Sequence, residues 1–369
     1  MSNTAAIFHM DAGLEWGGAE RQALVLAREI RKRGFGSRLV VQPASPLHQK
    51  AAAEGVPVMA LKMPGGRSLV SALRLASAMK RERCVLVHFH DGPSLTVGST
   101  AANWAKVPIR VLSRQGESVS RAERAAARIV DAVIAGSDGV RDVLVRGGVP
   151  EKCVDVVPAG IDFSAYEDIQ SRDFLRREFS FAADDFLVGV VAGLEDPRSY
   201  HEMLGAAKII VDHAPKAKVI ILGEGALRLE PDKKGHDLPS SGVVYYLGFR
   251  DHQAQVLASL DVFVTTSPLI GFGGGLLDAM AGRVPVVATE AGGAPEVLVH
   301  RETGLLVPPR DPHSLAEAVL KFYLDRNLAA RLAQAGQDAI REKYSAEAMA
   351  RKIIAVYERL ASRKGVRLG

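Results

Sequence analysis

The chain has 369 residues, of which 47% are hydrophobic and 24% charged, and it carries a formal net charge of +5. This composition is typical of a globular protein, the length suits two domains, and no apolar run approaches the roughly 20 residues of a membrane span. The mildly basic balance favours acidic ligands or an anionic membrane surface, and the lack of a recognition module argues against nucleic acid.

The N-terminal residues and the cysteines predict the compartment. The stretch "MSNTAAIFHMD" lacks the basic start and long apolar run of a signal peptide. Cys84 and Cys153 lie in or beside apolar strand-like segments, so both are expected to be buried free thiols. Neither cysteine has a second ligand at the spacing of a zinc site. We therefore expect a cytoplasmic protein without a cysteine-bound metal.

The first half of the chain alternates short apolar runs with helical patterns. The stretch "AERQALVLAREIRKRG" places Ala23, Leu26, Ala27 and Ile30 on one helix face and ends at Gly34. Strand–helix alternation predicts a doubly wound α/β domain. Seven runs predict its buried parallel strands: "AAIFHM", "SRLVVQ", "VPVMAL", "CVLVHFH", "IRVLSR", "AVIAGS" and "VDVVPA".

The pattern pauses at residues 160–185, a polar stretch with scattered aromatic residues that we interpret as a domain linker. Alternation then resumes, and only helical patterns follow Ser314. The predicted organisation is an N-terminal Rossmann-like domain over residues 1–165, a second one over residues 166–345, and a final helix over residues 346–369. Six runs predict the strands of the second domain: "FLVGVVAG", "AKVIILG", "VVYYLG", "VFVTTS", "VPVVAT" and "TGLLVP".

The first candidate site is "GLEWGGAERQ", which follows the first strand and opens a helix. Gly17 and Gly18 lie at the helix N-terminus, where backbone N–H groups can bind phosphate. The glycine spacing matches neither the dinucleotide fingerprint nor a P-loop. A plain strand-to-helix turn is an equally good interpretation of this stretch alone.

The second candidate site is "VHFHDGPS". His90 ends a buried strand with Asp91 beside it, and strand alternation places His88 and His90 on one face. A single histidine at a strand end is more often a satisfied core residue than a catalyst, but two followed by Asp-Gly-Pro favour a function. A metal site needs a third ligand, which the sequence does not identify.

Glycine turns also follow three strands of the second half. Gly223 and Gly225 follow "KVIIL", Gly273, Gly274 and Gly275 precede the helix with Asp278, and Gly292 and Gly293 follow the next strand. Glycines at such strand ends expose backbone N–H groups to an anion, although each turn alone is also ordinary turn chemistry. Two glycine loops on neighbouring strands together indicate a binding pocket.

In order and spacing, these motifs resemble the retaining GT-B glycosyltransferases of the large group 1 family, which use nucleotide-diphosphate sugars. The resemblance extends over nearly the whole chain. It implies an α/β GT-B fold of two Rossmann-like domains facing a cleft, with the C-terminal helices crossing back to the first domain. The motifs that carry it are "GGAERQ", "VHFHDGPS", "VVPAGID", "VIILGEGALR", "DVFVTTS", "GFGGGLLDAMA", "PVVATEAGGAPEV" and "TGLLVPPRDP".

The resemblance assigns roles to individual positions. It places Gly17 and Gly18 against the donor diphosphate and His90 beside the transferred sugar. The loop Gly271, Phe272, Gly273 and Gly274 is expected to hold the donor through backbone N–H groups. Asp278 stands where the family has a glutamate that holds the nucleotide ribose, and a carboxylate can accept two ribose hydroxyls.

Three positions depart from the family pattern. Ile270 stands where the family has a glutamate that contacts the donor sugar, and Gly193 stands where it has a phosphate-binding arginine. The partner lysine of that arginine aligns with Arg198 or Ser199, so Arg198 is our candidate cation at the leaving group. Stabilising the negative charge on the departing diphosphate is the main task in this reaction, so these departures bear directly on turnover.

The predicted function is transfer of a sugar, with retention, from a nucleotide-diphosphate donor to a glycan or glycolipid acceptor in cell-envelope polysaccharide or lipopolysaccharide synthesis. A UDP-sugar is the expected donor substrate, and neither a cofactor nor a metal is expected. Peripheral contact with the inner face of the membrane is a further expectation. The alternative is a GT-B protein that binds nucleotide sugars or acts as a scaffold after losing turnover. A nucleotide-sugar epimerase is disfavoured because that chemistry needs several acids and bases.

Overall fold

The computed structural model describes residues 6–63, 68–115, 129–167, 169, 171–191, 197–222, 243–248, 252–268 and 275–368. The chain divides into two compact units. The first comprises Met1–Gly160 together with Ala346–Gly369, and the second comprises Ile161–Ser345.

The first unit is built on a seven-stranded parallel sheet. Its strands in chain order are β1 (Ala6–Asp11), β2 (Gly36–Val41), β3 (Val58–Ala60), β4 (Cys84–Phe89), β5 (Ile109–Arg114), β6 (Ala132–Ala135) and β7 (Val154–Val156). The spatial order is β3-β2-β1-β4-β5-β6-β7. The strand order therefore reverses between β1 and β4, and ligands of doubly wound sheets bind at the carboxyl ends of such a strand pair.

Helices cover both faces of this sheet. Several begin at a side chain that accepts a backbone N–H three residues on, as Asp91 does from Ser94 at 2.9 Å. The bounds are α1 (Gly18–Lys32), α2 (Pro46–Ala53), α3 (Leu69–Arg81), α4 (Gly92–Ala105), Asp138–Arg146, a 3₁₀ turn at Glu151–Cys153, and the C-terminal helix Ala346–Lys364.

The C-terminal helix completes the core of the first unit. Its fully buried Tyr357 packs with Leu26 and Ile30 of α1 and with Ile109 of β5. At its start, a Cβ on Gly160 would lie only 2.9 Å from the Cα of Ala346 and the Cβ of Met349. This return of the last helix to the first sheet confirms the prediction.

The second unit has a six-stranded parallel sheet of its own. Its strands are β8 (Phe186–Val191), β9 (Ala217–Leu222), β10 (Val244–Gly248), β11 (Val262–Thr265), β12 (Val286–Thr289) and β13 (Leu305–Val307), in the order β10-β9-β8-β11-β12-β13. The helices are Ser164–Glu167, Phe174–Phe179, Pro197–His213, Gln253–Ala258, Leu276–Ala281, Ala294–Val297, Pro312–Leu324 and Arg326–Tyr344. The strand order reverses between β8 and β11, the two strands that precede the predicted loops at Gly193 and at Gly271–Gly274.

The two sheets confirm the thirteen predicted strands. These strands are short apolar runs because helices cover both faces of each sheet. In β8, Phe186, Val188 and Val190 enter one core cluster, whereas Leu187 enters the cluster on the other face. The two edge strands of the first sheet, β3 and β7, are exceptions to the prediction of full burial. In β3, Ala60 is exposed and Val58 and Met59 are half-buried, and all three residues of β7 are half-buried.

Two further expectations are wrong in detail. The segment 160–185, which we interpreted as a linker, belongs to the second unit from Ile161 onwards. Leu175 is fully buried there, and Arg176 donates to Asp261 at 2.7 Å. Its scattered aromatic residues are therefore core-facing residues. Cys84 is buried as expected, but Cys153 lies in the 3₁₀ turn and is only half-buried.

Candidate functional site

Three imidazoles meet where the strand order of the first sheet reverses. His9 of β1 lies opposite His88 of β4 in the parallel register, and His90 follows β4 directly. The rings of His88 and His90 stack with centroids 4.3 Å apart, as the predicted shared face requires. His9 and His88 are fully buried, and His90 is 8% exposed.

Hydrogen bonds fix all three rings. His9 Nδ1 lies 3.1 Å from His90 Nε2. His88 Nδ1 lies 2.5 Å from the hydroxyl of Tyr357 on the C-terminal helix, and its Nε2 lies 2.7 Å from Ser113 Oγ. Side chains from β5 and from the last helix thus hold His88, whereas His9 and His90 hold each other.

The site keeps these imidazoles neutral. Burial lowers the pKa of His90 to about 3, and burial together with the charge of His90 lowers the pKa of His9 and of His88 well below the usual value. His90 therefore acts at neutral pH as a hydrogen-bonding group without charge.

His9 supplies the third imidazole that the sequence did not identify. One ring nitrogen from each histidine lies within 4.8 Å of the others, which is the spacing of a possible metal-ligand set. However, both nitrogens of His88 are already bonded to hydroxyl groups, and His9 and His90 are bonded to each other. Binding a cation would break these bonds, so the described atoms form a hydrogen-bonded network.

His90 lines a pocket at the carboxyl edge of the first sheet. The other polar groups of the pocket come from Gln22 of α1, Ser113 and Arg114 of β5, and Gln115. Its apolar wall includes Leu26, Ile134, Val157, Met349 and Ile353. This mixture of an apolar wall and a few convergent polar groups is typical of small-molecule sites.

The first turn of α1 adjoins this pocket. The position that a Cβ would occupy on Gly18 lies 3.8 Å from Gln115 Oε1. Gly17 is the N-cap residue directly before the helix, and its N–H donates to Glu20 Oε2 at 3.0 Å. A carboxylate of the protein thus occupies the position where an anion would meet the helix N-terminus.

Two more carboxylates lie beside this turn. Asp11 ends β1, is fully buried, and accepts the N–H of Gly13 at 2.8 Å. Asp91 accepts the N–H of Ala12 at 2.9 Å. Burial, followed by the charges of Asp91 and Glu20, raises the pKa of Asp11 to about 7. The segment between β1 and α1 is thus held between acidic groups.

In the second unit, Asp278 lies in the helix Leu276–Ala281 and is 2% exposed. Its Oδ1 accepts the hydroxyl of Tyr166 at 2.5 Å. Gly271, Phe272, Gly273 and Gly274, as well as Ile270 and Gly193, lie outside the described residues. Arg198 belongs to the helix Pro197–His213, and its side chain is likewise outside the description. The assigned roles of these second-unit residues remain predictions.

Sequence reasoning missed His9 and Asp11. Both belong to the run "AAIFHMD", which was interpreted only as a buried strand. Polar residues at alternate positions of such a strand are the available signal, since a buried imidazole or carboxylate needs a partner. The partners lie about eighty residues away, next to β4, and only the adjacency of β1 and β4 brings them together.

Two family models match the chain. The model described as glycosyl transferases group 1 matches residues 171–339, and the model described as Glycosyltransferase Family 4 matches residues 16–165. Together they account for most of both units.

Two curated relatives share at most 29% of their aligned residues with this chain. The capsular polysaccharide biosynthesis glycosyltransferase CapM of Staphylococcus aureus is 21% identical over 306 residues, covering 78% of this chain and 80% of CapM. The lipopolysaccharide core biosynthesis glycosyltransferase LpsE of Rhizobium meliloti is 29% identical over 174 residues, covering 47% of this chain. The chain matches only half the length of LpsE.

Among solved structures, HepE of Anabaena in complex with UDP-glucose is similar with a TM-score of 0.79. The structural similarity covers 96% of this chain and 99% of HepE, at 22% sequence identity. Because the sequence identity is this low, the similarity shows a shared fold only. The two parallel sheets, their order and this neighbour agree on the α/β GT-B fold.

Proposed function

Because the chain belongs to the GT-B glycosyltransferase family, we propose that it transfers a sugar, with retention, from a UDP-sugar to a glycan or glycolipid acceptor of the cell envelope. The observation that carries this proposal is the pocket at the strand-order reversal, lined by the neutral His90. The roles of CapM in capsular polysaccharide synthesis and of LpsE in lipopolysaccharide core synthesis support an envelope acceptor, and the UDP-glucose bound to HepE supports the donor.

In this proposal each group of the first unit has a defined task. His90 hydrogen-bonds a sugar hydroxyl without bringing charge into the site. The N–H groups at Gly17 and Gly18 stabilise the charge that develops on the leaving diphosphate, which requires Glu20 to move away from the helix N-terminus.

The second unit would hold the nucleotide. Asp278 would accept ribose hydroxyls, Arg198 would neutralise the leaving group, and the segment Gly271, Phe272, Gly273 and Gly274 would donate backbone N–H groups. For Asp278, this requires that a ribose hydroxyl replace or join the hydroxyl of Tyr166. No divalent metal takes part in this scheme, because helix N-termini and an arginine can stabilise the diphosphate.

The test is a panel of nucleotide sugars measured by thermal shift and isothermal titration, followed by transfer assays on the donors that bind. We expect UDP and at least one UDP-sugar to bind, and the transfer rate to remain unchanged after chelation with EDTA. Failure of every nucleotide sugar to bind, or a strict requirement for added magnesium or manganese, would contradict the proposal.

The second candidate function is a nucleotide-sugar-binding protein without turnover. It is favoured by Ile270 and Gly193, which stand where the family has a sugar-binding acid and a phosphate-binding arginine. The discriminating variant is Ile270→Glu. Turnover of an ordinary hexose donor by the variant, together with none by the parent protein on any acceptor, would identify a lapsed enzyme.

We further propose that α3 carries the peripheral contact with the membrane. Leu69, Val70 and Leu73 at its start are 63%, 64% and 59% exposed. The exposed Arg74 follows Leu73 in the helix, and the exposed Lys62 is joined to α3 through its carbonyl, which accepts the hydroxyl of Ser71. Exposed apolar side chains bordered by cations fit an anionic lipid surface. Within the described ranges, no helix combines the length and apolar character that crossing a bilayer requires.

Cosedimentation with vesicles tests this contact. We expect binding to vesicles that contain phosphatidylglycerol, weaker binding to pure phosphatidylcholine, and loss of binding in Leu73→Glu. Leu324, which is 81% exposed on another helix, provides the matched control Leu324→Glu. Equal binding of both variants and the parent protein would contradict a role for α3.

A further inference from the structure

His9 is a buried polar residue to which the family resemblance assigns no role. Its ring is fully buried, its Nδ1 faces His90 Nε2 at 3.1 Å, and its Nε2 is buried without a hydrogen-bond partner among the described residues. A buried imidazole with one bonded and one unbonded nitrogen has a preferred position for its proton. The position of the proton on His9 determines whether His90 Nε2 accepts or donates the hydrogen bond between the two rings.

From this geometry we propose that His9 is a positioning residue that holds His90 in the neutral tautomer with the proton on Nδ1. His90 then meets its ligand as a hydrogen-bond donor. The effect on sugar transfer depends on the function proposed above, whereas the tautomer itself does not.

The tautomer follows from the two ways of sharing one proton between His9 and His90. If His90 Nε2 donates, neutral His9 must carry its own proton on Nε2, which leaves a buried N–H without an acceptor. If His9 Nδ1 donates, the unbonded Nε2 of His9 is only a lone pair. Orphaned buried N–H groups are rarer in proteins than under-satisfied acceptors, so the second arrangement is favoured.

The tautomer of His90 determines which hydrogen bonds this residue can make in the pocket. Its Nε2 accepts from His9, so the proton of its neutral ring lies on Nδ1, for which the described residues provide no hydrogen-bond partner. The ring also lines the pocket with Gln115 and Ser113. A ligand oxygen that accepts a hydrogen bond, such as a sugar hydroxyl or a phosphoryl oxygen, fits this donor. With Nδ1 protonated, His90 is not a general base toward the pocket.

Histidine nitrogen NMR measures the tautomer directly. The full-length protein is labelled with ¹⁵N-histidine, and the His90 signals among the ten histidines are assigned by their loss in His90→Gln. We expect His90 Nδ1 to show a protonated, pyrrole-type shift and Nε2 an unprotonated, pyridine-type shift. The opposite pattern in the parent protein would overturn the proposal without any variant of His9.

Two substitutions of His9 test the cause. His9→Asn keeps an amide donor close to the position of Nδ1, and we expect it to preserve the His90 tautomer. His9→Leu removes the donor, and we expect the Nε2-protonated form to appear. Met10→Leu, an apolar exchange at the next residue of β1, is the matched control for core repacking. An unchanged tautomer in folded His9→Leu would contradict the proposal.

Turnover provides a separate readout. With a donor that the parent protein uses, we expect His9→Leu to lower kcat on the order of a hundredfold with little change in KM, and His9→Asn to restore most of it. If the tautomers behave as expected but no donor supports transfer, the proposed function fails and the role of His9 in fixing the tautomer stands. Normal kcat in His9→Leu with a changed tautomer would overturn its role in the reaction.

Discussion

Replacing Asp11 by asparagine should make the protein's stability less dependent on pH. The Asp11 carboxyl is fully buried at the end of β1, and one oxygen, Oδ2, has no partner among the described residues. Burial, followed by the charges of Asp91 and Glu20, raises its pKa from 3.8 to about 7. The folded chain therefore binds this proton more tightly than the unfolded chain does.

The sign and the magnitude follow from this difference in pKa. A carboxyl whose pKa is raised by folding destabilises the folded state as the pH rises from 3.8 towards 7, and the full penalty applies above 7. A rise of this size corresponds to at most about 4 kcal/mol, at about 1.4 kcal/mol for each tenfold change in proton affinity. The amide oxygen introduced by Asp11→Asn would still accept the Gly13 N–H, and the amide would carry no charge.

The assay is urea denaturation of the parent protein and of Asp11→Asn from pH 4 to pH 8. We expect the stability of the variant relative to the parent to increase by up to about 4 kcal/mol over this range. Asp212→Asn at an exposed helical position is the control, and it should show no such trend. A difference between Asp11→Asn and the parent that is the same at every pH would refute the raised pKa.

Three further substitutions test the site and its support. His90→Ala should lower kcat far more than it lowers stability, because the ring lines the pocket. If the variant melts early and its folded fraction has normal activity, His90 is a packing residue. Glu20→Gln should tighten UDP binding in calorimetry, because it removes a negative charge from the N-terminus of α1; unchanged affinity would place the diphosphate elsewhere. Gly160→Ala should destabilise the first unit by about 1–3 kcal/mol, since its Cβ would contact Ala346 and Met349 at 2.9 Å. Urea denaturation measures this loss, and unchanged stability would show that the C-terminal helix can move aside.

The strands were predictable because each is a short apolar run between helical patterns, and burial on both faces of a parallel sheet requires such runs. The segment 160–185 was misinterpreted as a linker because Leu175 and Arg176 become core and anchoring residues only when β8 and β11 are placed beside them. Sequence spacing does not show which strands are neighbours in the sheet.

The same limit applies to the site. The motif "VHFHDGPS" predicted His90 and its shared face with His88, since alternation along one strand is a local property. The contact of His9 with His90 joins residues 81 positions apart. The raised pKa of Asp11 depends first on its burial and then on the charges of Asp91 and Glu20 from two other elements. Such properties arise from the convergence of elements at the β1–β4 junction. The polar residues of β1 indicate locally that partners exist, but not which residues those partners are.

The roles of the site residues depend on the proposal that the protein transfers a sugar with retention. NMR of the reaction mixture during turnover observes the anomeric configuration of donor and product directly. The anomeric coupling constants of the donor UDP-sugar and of the newly formed glycoside are compared as the product appears. We expect a glycoside with the same anomeric configuration as the donor, formed by the parent protein and on the order of a hundredfold more slowly by His90→Ala. A product with the opposite configuration, or no product from any UDP-sugar that binds, would contradict the proposed transfer.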